Sequence, residues 1–150
     1  MRLWGMLTGI FVALGLMLAA MLIARRRKAL EAEKKAEEGR LSRNFMEQIS
    51  ALIEEKELYR RKNLRITDVA TELATNKTYV SAMLNNMSGE SFTSMITRYR
   101  VSYAQKLLRE HPEMVLDEVA DESGFSSRTS FFRNFKAVTG MTPQEWKKVK

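Results

Sequence analysis

Two short segments of the sequence carry polar and cationic side chains at helical spacing. Val80, Met83 and Leu84 in the first segment, and the phenylalanines of the second, are the residues expected to face a core. The outward positions are then Lys77, Thr78, Ser81, Ala82 and Asn85 in the first segment, and Ser127, Arg128, Thr129, Arg133 and Lys136 in the second. Arginine can donate two hydrogen bonds to guanine, whereas Thr and Ser are less selective and also contact phosphate. Such side chains suit a polyanionic ligand such as nucleic acid, and Arg128 and Arg133 would then be the strongest candidates for base recognition.

Some of these residues also have an explanation that involves no ligand. Arg133 could form an ion pair with Asp121 or Glu122, or simply be solvated. Phe131, Phe135 and Trp146 are expected to fill a core, not to stack on bases. The candidate DNA-binding residues are Lys77, Thr78, Ser81, Asn85, Arg128, Thr129, Arg133 and Lys136.

Composition excludes most enzyme chemistry. The 150 residues contain no cysteine and one histidine, His111, so thiolate metal sites, disulfides and His-based catalytic triads are excluded. The carboxylates Glu54, Glu55, Glu118, Asp121 and Glu122 have no paired nucleophile or phosphate loop beside them. No enzyme activity, cofactor or metal is expected. Lys and Arg number 25 against 18 Asp and Glu, and the net charge of +7 favours a polyanionic partner.

Several short helices must position these side chains. Apolar periodicity predicts a helix over Leu41 to Tyr59, and Thr67 is the predicted N-cap of a short helix that runs to Ala74. Asn76 caps the next helix, which runs from Lys77 to about Asn86. Later helices are predicted from Phe92 to His111, from Leu116 to Gly124, from a cap at Ser126 to Gly140, and from Pro143 onward. The first two short helices form a helix-turn-helix candidate.

The short-helix pair occurs twice. Val69, Ala70, Leu73, Asn76 and Val80 correspond to Val119, Ala120, Ser123, Ser126 and Ser130 at a constant offset of 50 residues. Such self-similarity indicates two recognition units on one chain. The long helix between them is expected to act as a rigid connector.

The amino-terminal segment has a different character. Leu3 to Ala24 is a run of 22 residues without a charge, and as a helix it would be about 33 Å long, enough to cross a bilayer core of about 30 Å. Arg25, Arg26, Arg27 and Lys28 follow it, which predicts a single-pass span with the carboxyl portion in the cytoplasm. A cleaved signal peptide and a soluble core helix are the competing interpretations. Residues 29–42 are mixed-charge helix formers interrupted by Gly39, and they predict an exposed spacer, although dimerisation there remains open.

The second half resembles the DNA-binding domain of the AraC/XylS family of bacterial transcription regulators. The residues that carry this resemblance are Val119-Ala120-x-Glu122-x-Gly124-Phe125-Ser126, Phe131-Phe132-Arg133-x-Phe135-Lys136 and Thr139-Gly140-x-Thr142-Pro143-x-x-Trp146. Ala74 stands where the family often has glycine, and Asn76 where serine is common. The expected fold is all-α: an N-terminal transmembrane helix, then a seven-helix domain with two helix-turn-helix units joined by a long linker helix. The domains are an anchor at 1–28, a spacer at 29–42 and the AraC-type domain at 43–150.

The resemblance implies a transcription regulator tethered to the bacterial inner membrane. Double-stranded DNA is the expected partner, contacted in two successive major-groove segments, and the membrane is contacted through residues 3–24. RNA polymerase and a second copy of the chain are further candidate partners. The alternative is a truncated or degenerate regulator fragment that serves only as a non-specific DNA-binding or partner-interaction module.

Overall fold

The computed structural model describes the backbone of residues 2–149 and the side chains of residues 14–149, and every regular element in that range is helical. The helices are α1 (Arg2–Glu55), α2 (Ile66–Glu72), α3 (Lys77–Ser88), α4 (Phe92–Glu110), α5 (Leu116–Glu122), α6 (Arg128–Thr139) and α7 (Pro143–Val149), with a 3₁₀ turn at Leu58–Arg60. The chain divides into two compact parts, residues 1–42 and 43–150. Both candidate recognition helices belong to the second part.

The first helix is longer than predicted. α1 continues through Gly39, which was expected to interrupt it, and it ends at Glu55 before the short 3₁₀ turn. A single glycine costs a helix about 1 kcal/mol relative to alanine, so good helix formers on both sides outweigh it. The predicted apolar stripe is confirmed at Ile49 and Ile53, which are fully buried, but Leu41 is 59% exposed and does not belong to it.

The predicted membrane span is only partly covered by the described residues. Among those residues, no helix has an apolar stretch long enough to cross a bilayer. The predicted span runs from Leu3 to Ala24, and the side chains of residues 3–13 lie outside the described ones.

Helix caps explain where the short helices begin. The Asn76 cap is confirmed, since its Oδ1 accepts a hydrogen bond of 2.9 Å from the Tyr79 N–H. The predicted Thr67 cap is wrong: α2 begins at Ile66, and the Asp68 carboxylate accepts the N–H of Arg65 at 2.8 Å. The predicted Ser126 cap is also wrong, because Ser127 Oγ accepts the Ser130 N–H at 3.2 Å. Pro143 begins α7 as predicted.

The part of the chain from residue 43 onward contains two separate hydrophobic cores. The first is built around Ile49, Val69, Val80 and Leu84, and the second around Val119, Phe131 and Phe135. α4 contributes to both: Met95 and Ile96 pack in the first core, whereas Val101, Ala104, Leu107 and Leu108 pack in the second. One continuous helix therefore connects the α2–α3 pair to the α5–α6 pair.

The internal repeat does not keep a constant offset. Val69 and Ala70 match Val119 and Ala120 at an offset of 50, as predicted, but α3 and α6 begin at Lys77 and Arg128, which are 51 residues apart. The turn between α5 and α6 therefore contains one residue more than the turn between α2 and α3. The buried Val80 therefore corresponds to the buried Phe131, not to Ser130 as the offset of 50 required.

The two turns share a left-handed residue but use different amino acids. Ala74 has φ +50° in the first turn, and Gly124 has φ +78° in the second. An L-residue pays about 1–2 kcal/mol in this region, whereas glycine loses somewhat more entropy on folding.

We therefore expect Ala74→Gly to raise the free energy of unfolding by about 0.5–1 kcal/mol. Urea unfolding followed by circular dichroism measures this change. Ala51→Gly is the matched control, because Ala51 is an exposed alanine within α1 and the same substitution should lower stability there by about 1 kcal/mol. Equal losses at both positions would contradict the strain assigned to Ala74.

Candidate nucleic-acid interface

The outward face of α3 brings four predicted residues together. Lys77, Thr78, Ser81 and Asn85 are exposed, whereas Val80 and Leu84 on the opposite face are fully buried. With Ile66 of α2 and Ala82 of α3, these four line a shallow depression of about 460 Å³. The first half of the candidate site is therefore a surface that is open to a ligand.

The outward face of α6 carries the other predicted residues. Arg128, Thr129, Arg133 and Lys136 are exposed, and Phe131 and Phe135 hold the opposite face in the second core. Ring contacts fix this arrangement: the Phe131 and Phe135 centroids lie 5.6 Å apart, and Trp146 of α7 meets Phe135 edge-on at 6.0 Å. The prediction that these aromatic residues form a core is confirmed.

The guanidinium of Arg128 is already held by the protein. Its Nη1 donates a hydrogen bond of 2.5 Å to Asp117 Oδ1 at the start of α5, and its Cζ lies 4.9 Å from the centre of the Phe132 ring. Sequence reasoning did not identify either contact. Arg128 is thus oriented at the first turn of α6, and part of its donor capacity is used within the fold.

Arg133 differs from Arg128 in this respect. The two acids that could have paired with it have other partners: Asp121 binds Lys62 and Glu122 binds Arg60. Within residues 14–149, the Arg133 side chain forms no ion pair or hydrogen bond. All of its guanidinium donors are therefore free for a ligand.

The two recognition helices present the same positions with different chemistry. At the offset of 51, Lys77 corresponds to Arg128, Thr78 to Thr129 and Asn85 to Lys136, while Ala82 corresponds to Arg133 and Ser81 to Phe132. The outward face of α3 thus carries one cation, Lys77, among these positions, and that of α6 carries three. The second helix is the more strongly cationic of the two.

A set of polar contacts, called the junction below, joins the loop that follows α1 to the end of α5. The loop after α1 forms ion pairs with the end of α5, Arg60 with Glu122 and Lys62 with Asp121. Arg60 Nε also donates a hydrogen bond of 3.2 Å to the Glu122 carbonyl. The loop and α5 are about 60 residues apart in sequence, and no local pattern identifies such pairs.

Arg100 of α4 is the centre of this junction. Its Nε donates to the carbonyl of Tyr59 and its Nη2 to the carbonyl of Arg61, both at 2.7 Å. The guanidinium also lies 5.9 Å from the centre of the Phe125 ring. Burial lowers the pKa of Arg100 from its ordinary value, but an arginine remains charged at neutral pH. One side chain therefore joins the connector helix, the loop and the second turn.

Comparison with known proteins is consistent with this arrangement. Residues 69–148 match the model of a family described as a helix-turn-helix domain. The transcriptional regulatory protein YesN of Bacillus subtilis (strain 168) is 31% identical over 74 residues, which is 49% of this chain and 20% of that protein. The chain thus matches about a fifth of the length of that relative.

Solved structures share the fold. The C-terminal domain of the two-component response regulator yesN from Fusobacterium nucleatum subsp. nucleatum aligns with a TM-score of 0.61 and 26% identity, over 69% of this chain and 98% of that one. The DNA-binding domain of AdpA, a global transcriptional factor solved in complex with a target DNA, aligns with a TM-score of 0.60 and 20% identity, over 68% and 88% of the two chains. About two thirds of this chain therefore has the same fold as these two domains.

Proposed function

The chain belongs to the AraC-type helix-turn-helix family of DNA-binding transcription regulators, and we propose that it recognises two successive segments of the DNA major groove with α3 and α6. The observation that carries the proposal is the equivalence of the outward positions on the two helices. A helix-turn-helix places the start of its second helix against base edges. Lys77 with Thr78 and Arg128 with Thr129 occupy that first turn.

The junction between the units supports binding by a single protomer. Two recognition helices that are fixed to one connector can occupy major-groove segments about one helical turn, or about 10 base pairs, apart. Because the two faces differ in charge, the proposed target is asymmetric. A second copy of the chain is not required.

Selection from a randomised pool of duplex DNA tests this function. The full chain, kept in a mild detergent, is incubated with the pool at two salt concentrations and the bound duplexes are sequenced. We expect an enriched two-part motif with about 10 base pairs between its centres. Salt-sensitive binding without enrichment would indicate phosphate attraction alone and would favour a non-specific DNA-binding module.

Arg133 and Lys77 are expected to have separate roles. Arg133→Ala should weaken binding to the selected duplex by about 1–3 kcal/mol and relax the preference at one or two base pairs, because it removes a base contact. Lys77→Ala should weaken binding to all sequences alike, because it removes a phosphate contact. Fluorescence anisotropy on the selected and a scrambled duplex measures both. A uniform loss on both duplexes for Arg133→Ala would contradict the assignment.

We also propose that residues 3–24 anchor the chain in a membrane. The support is the uncharged run itself, the four cations that follow it, and the large apolar side chains of its described half, of which Leu16, Leu18 and Leu22 are each more than half exposed. The cations place the carboxyl portion in the cytoplasm.

Alkaline carbonate extraction of bacterial membranes tests the anchor. We expect the full chain to remain in the membrane pellet, and the double variant Leu14→Arg, Leu16→Arg to be released, since each buried arginine costs about 3 kcal/mol at the centre of a span. Leu30→Arg with Leu41→Arg is the matched control beyond the run and should remain in the pellet. Recovery of the unaltered chain in the soluble fraction would contradict the proposal.

A further inference from the structure

The depression on the outward face of α3 has a lining unlike that of the equivalent surface on α6. Ile66 and Ala82 supply apolar side chains, and Thr78 and Asn85 line the depression beside them. On α6, the residues that correspond to Ser81, Ala82 and Asn85 are Phe132, Arg133 and Lys136. Large or cationic side chains therefore occupy the positions that small, neutral ones leave open in the first unit.

The side chains of this depression lie in one stripe and are not engaged by the fold. Thr78, Ala82 and Asn85 are at positions i, i+4 and i+7 of α3, which places them along one face. Within residues 14–149, the amide of Asn85 has no hydrogen-bond partner. Both its oxygen and its nitrogen can therefore meet a ligand that offers one donor and one acceptor.

We propose that this depression recognises an A·T step in the major groove, with a thymine methyl group against Ile66, Thr78 and Ala82 and an adenine bound by Asn85. The inference rests on the proposed function. Adenine presents an N6 donor and an N7 acceptor that an asparagine amide can bind together, and thymine is the base that presents a methyl group in that groove. Guanine and cytosine offer no apolar group to fill the depression.

The two recognition units then divide the target by base composition. α3 specifies A·T pairs through apolar contact and an amide, while α6 binds guanine through the guanidinium of Arg133. The selected two-part motif is expected to contain an A·T-rich first half and a second half with at least one G·C pair. The second half is identified as the one whose preference Arg133→Ala relaxes.

Replacing thymine by deoxyuridine in the selected duplex tests the proposal with the unaltered full chain. This change removes the methyl group and leaves base pairing intact. We expect deoxyuridine in the first half to weaken binding about fourfold, the effect of exposing one methyl group, and deoxyuridine in the second half to leave binding unchanged. Fluorescence competition at fixed salt measures both.

A variant provides the second readout. Asn85→Ala should abolish the adenine preference at one position of the first half and leave the second half unaltered. Asn86→Ala, an exposed asparagine on the same helix, is the matched control and should retain the motif. A two-part motif whose first half tolerates deoxyuridine, or keeps its adenine in Asn85→Ala, would overturn this proposal alone. Selection with no enriched motif would overturn the proposed function as well.

Discussion

Replacing Gly124 by alanine is expected to lower the free energy of unfolding by about 3 kcal/mol. A Cβ built at this position would lie 2.5 Å from the Tyr59 carbonyl oxygen and 2.7 Å from that of Arg60. Both neighbours are backbone atoms, so they cannot rotate away. The clash adds about 1–3 kcal/mol of overpacking to the 1–2 kcal/mol that an L-residue pays at φ +78°.

Gly140→Ala separates the two contributions. Gly140 has φ +80°, and a Cβ there would have open space around it, so this variant should lose only the net cost of the left-handed conformation, about 0.5–1 kcal/mol once glycine's larger loss of entropy on folding is subtracted. Urea unfolding of the full chain, followed by circular dichroism, measures both variants. If Gly124→Ala were no less stable than Gly140→Ala, the close approach of the loop to the second turn would be contradicted.

Arg100→Met should produce the second large loss of stability, about 2–3 kcal/mol. The variant keeps the length of the side chain but leaves the carbonyls of Tyr59 and Arg61 without their charged donor, and hydrogen bonds to charged groups contribute about 1.5–3 kcal/mol. Arg100→Lys should recover only part of this, since an ammonium group lacks the planar fork that reaches both carbonyls.

Arg109→Met is the control for Arg100. Arg109 lies on the same helix and is exposed, and it has no ion pair within residues 14–149, so its replacement should change stability by less than about 0.5 kcal/mol. Thermal unfolding and urea unfolding of the three variants give the comparison. Equal midpoints for Arg100→Met and Arg109→Met would show that the junction contributes nothing to the fold.

The ends and buried faces of several helices were predictable from the sequence because residues close by in the chain determine them. Asn76 as a cap, Gly140 as a helix end and Pro143 as a helix start each act within one turn of chain. The burial of Phe131 and Phe135 followed from periodicity alone. Such signals need no information about the rest of the fold, and they placed the outward faces of α3 and α6 correctly.

The two wrong cap predictions, Thr67 and Ser126, lie where a neighbouring residue can also cap the start of the helix. Ser126 and Ser127 are adjacent serines that can both cap a helix, and the local sequence does not distinguish between them. At α2, the carboxylate of Asp68 caps the backbone from within the first turn, so Thr67 was not needed as a cap.

The polar contacts at the junction could not be predicted at all. Arg60 and Glu122 are 62 positions apart, and their pairing depends on how α4 brings the two cores together. The partner of Arg128 was missed for the same reason, although Asp117 is only 11 positions away on the preceding helix. The candidate binding residues were identified, but which of their donors are free became visible only in the fold.

The additional residue in the second turn determines how the two helix pairs could be exchanged by protein engineering. Residues 66–88 and 116–139 span the two pairs, and the second is one residue longer. A chimera aligned at the constant offset of 50 would begin the transplanted helix one position early, which rotates it by about 100° and turns its polar face toward the core. Aligned instead at the first helix of each pair, with Ser126 retained as an insertion, the transplanted helix keeps its polar face toward solvent.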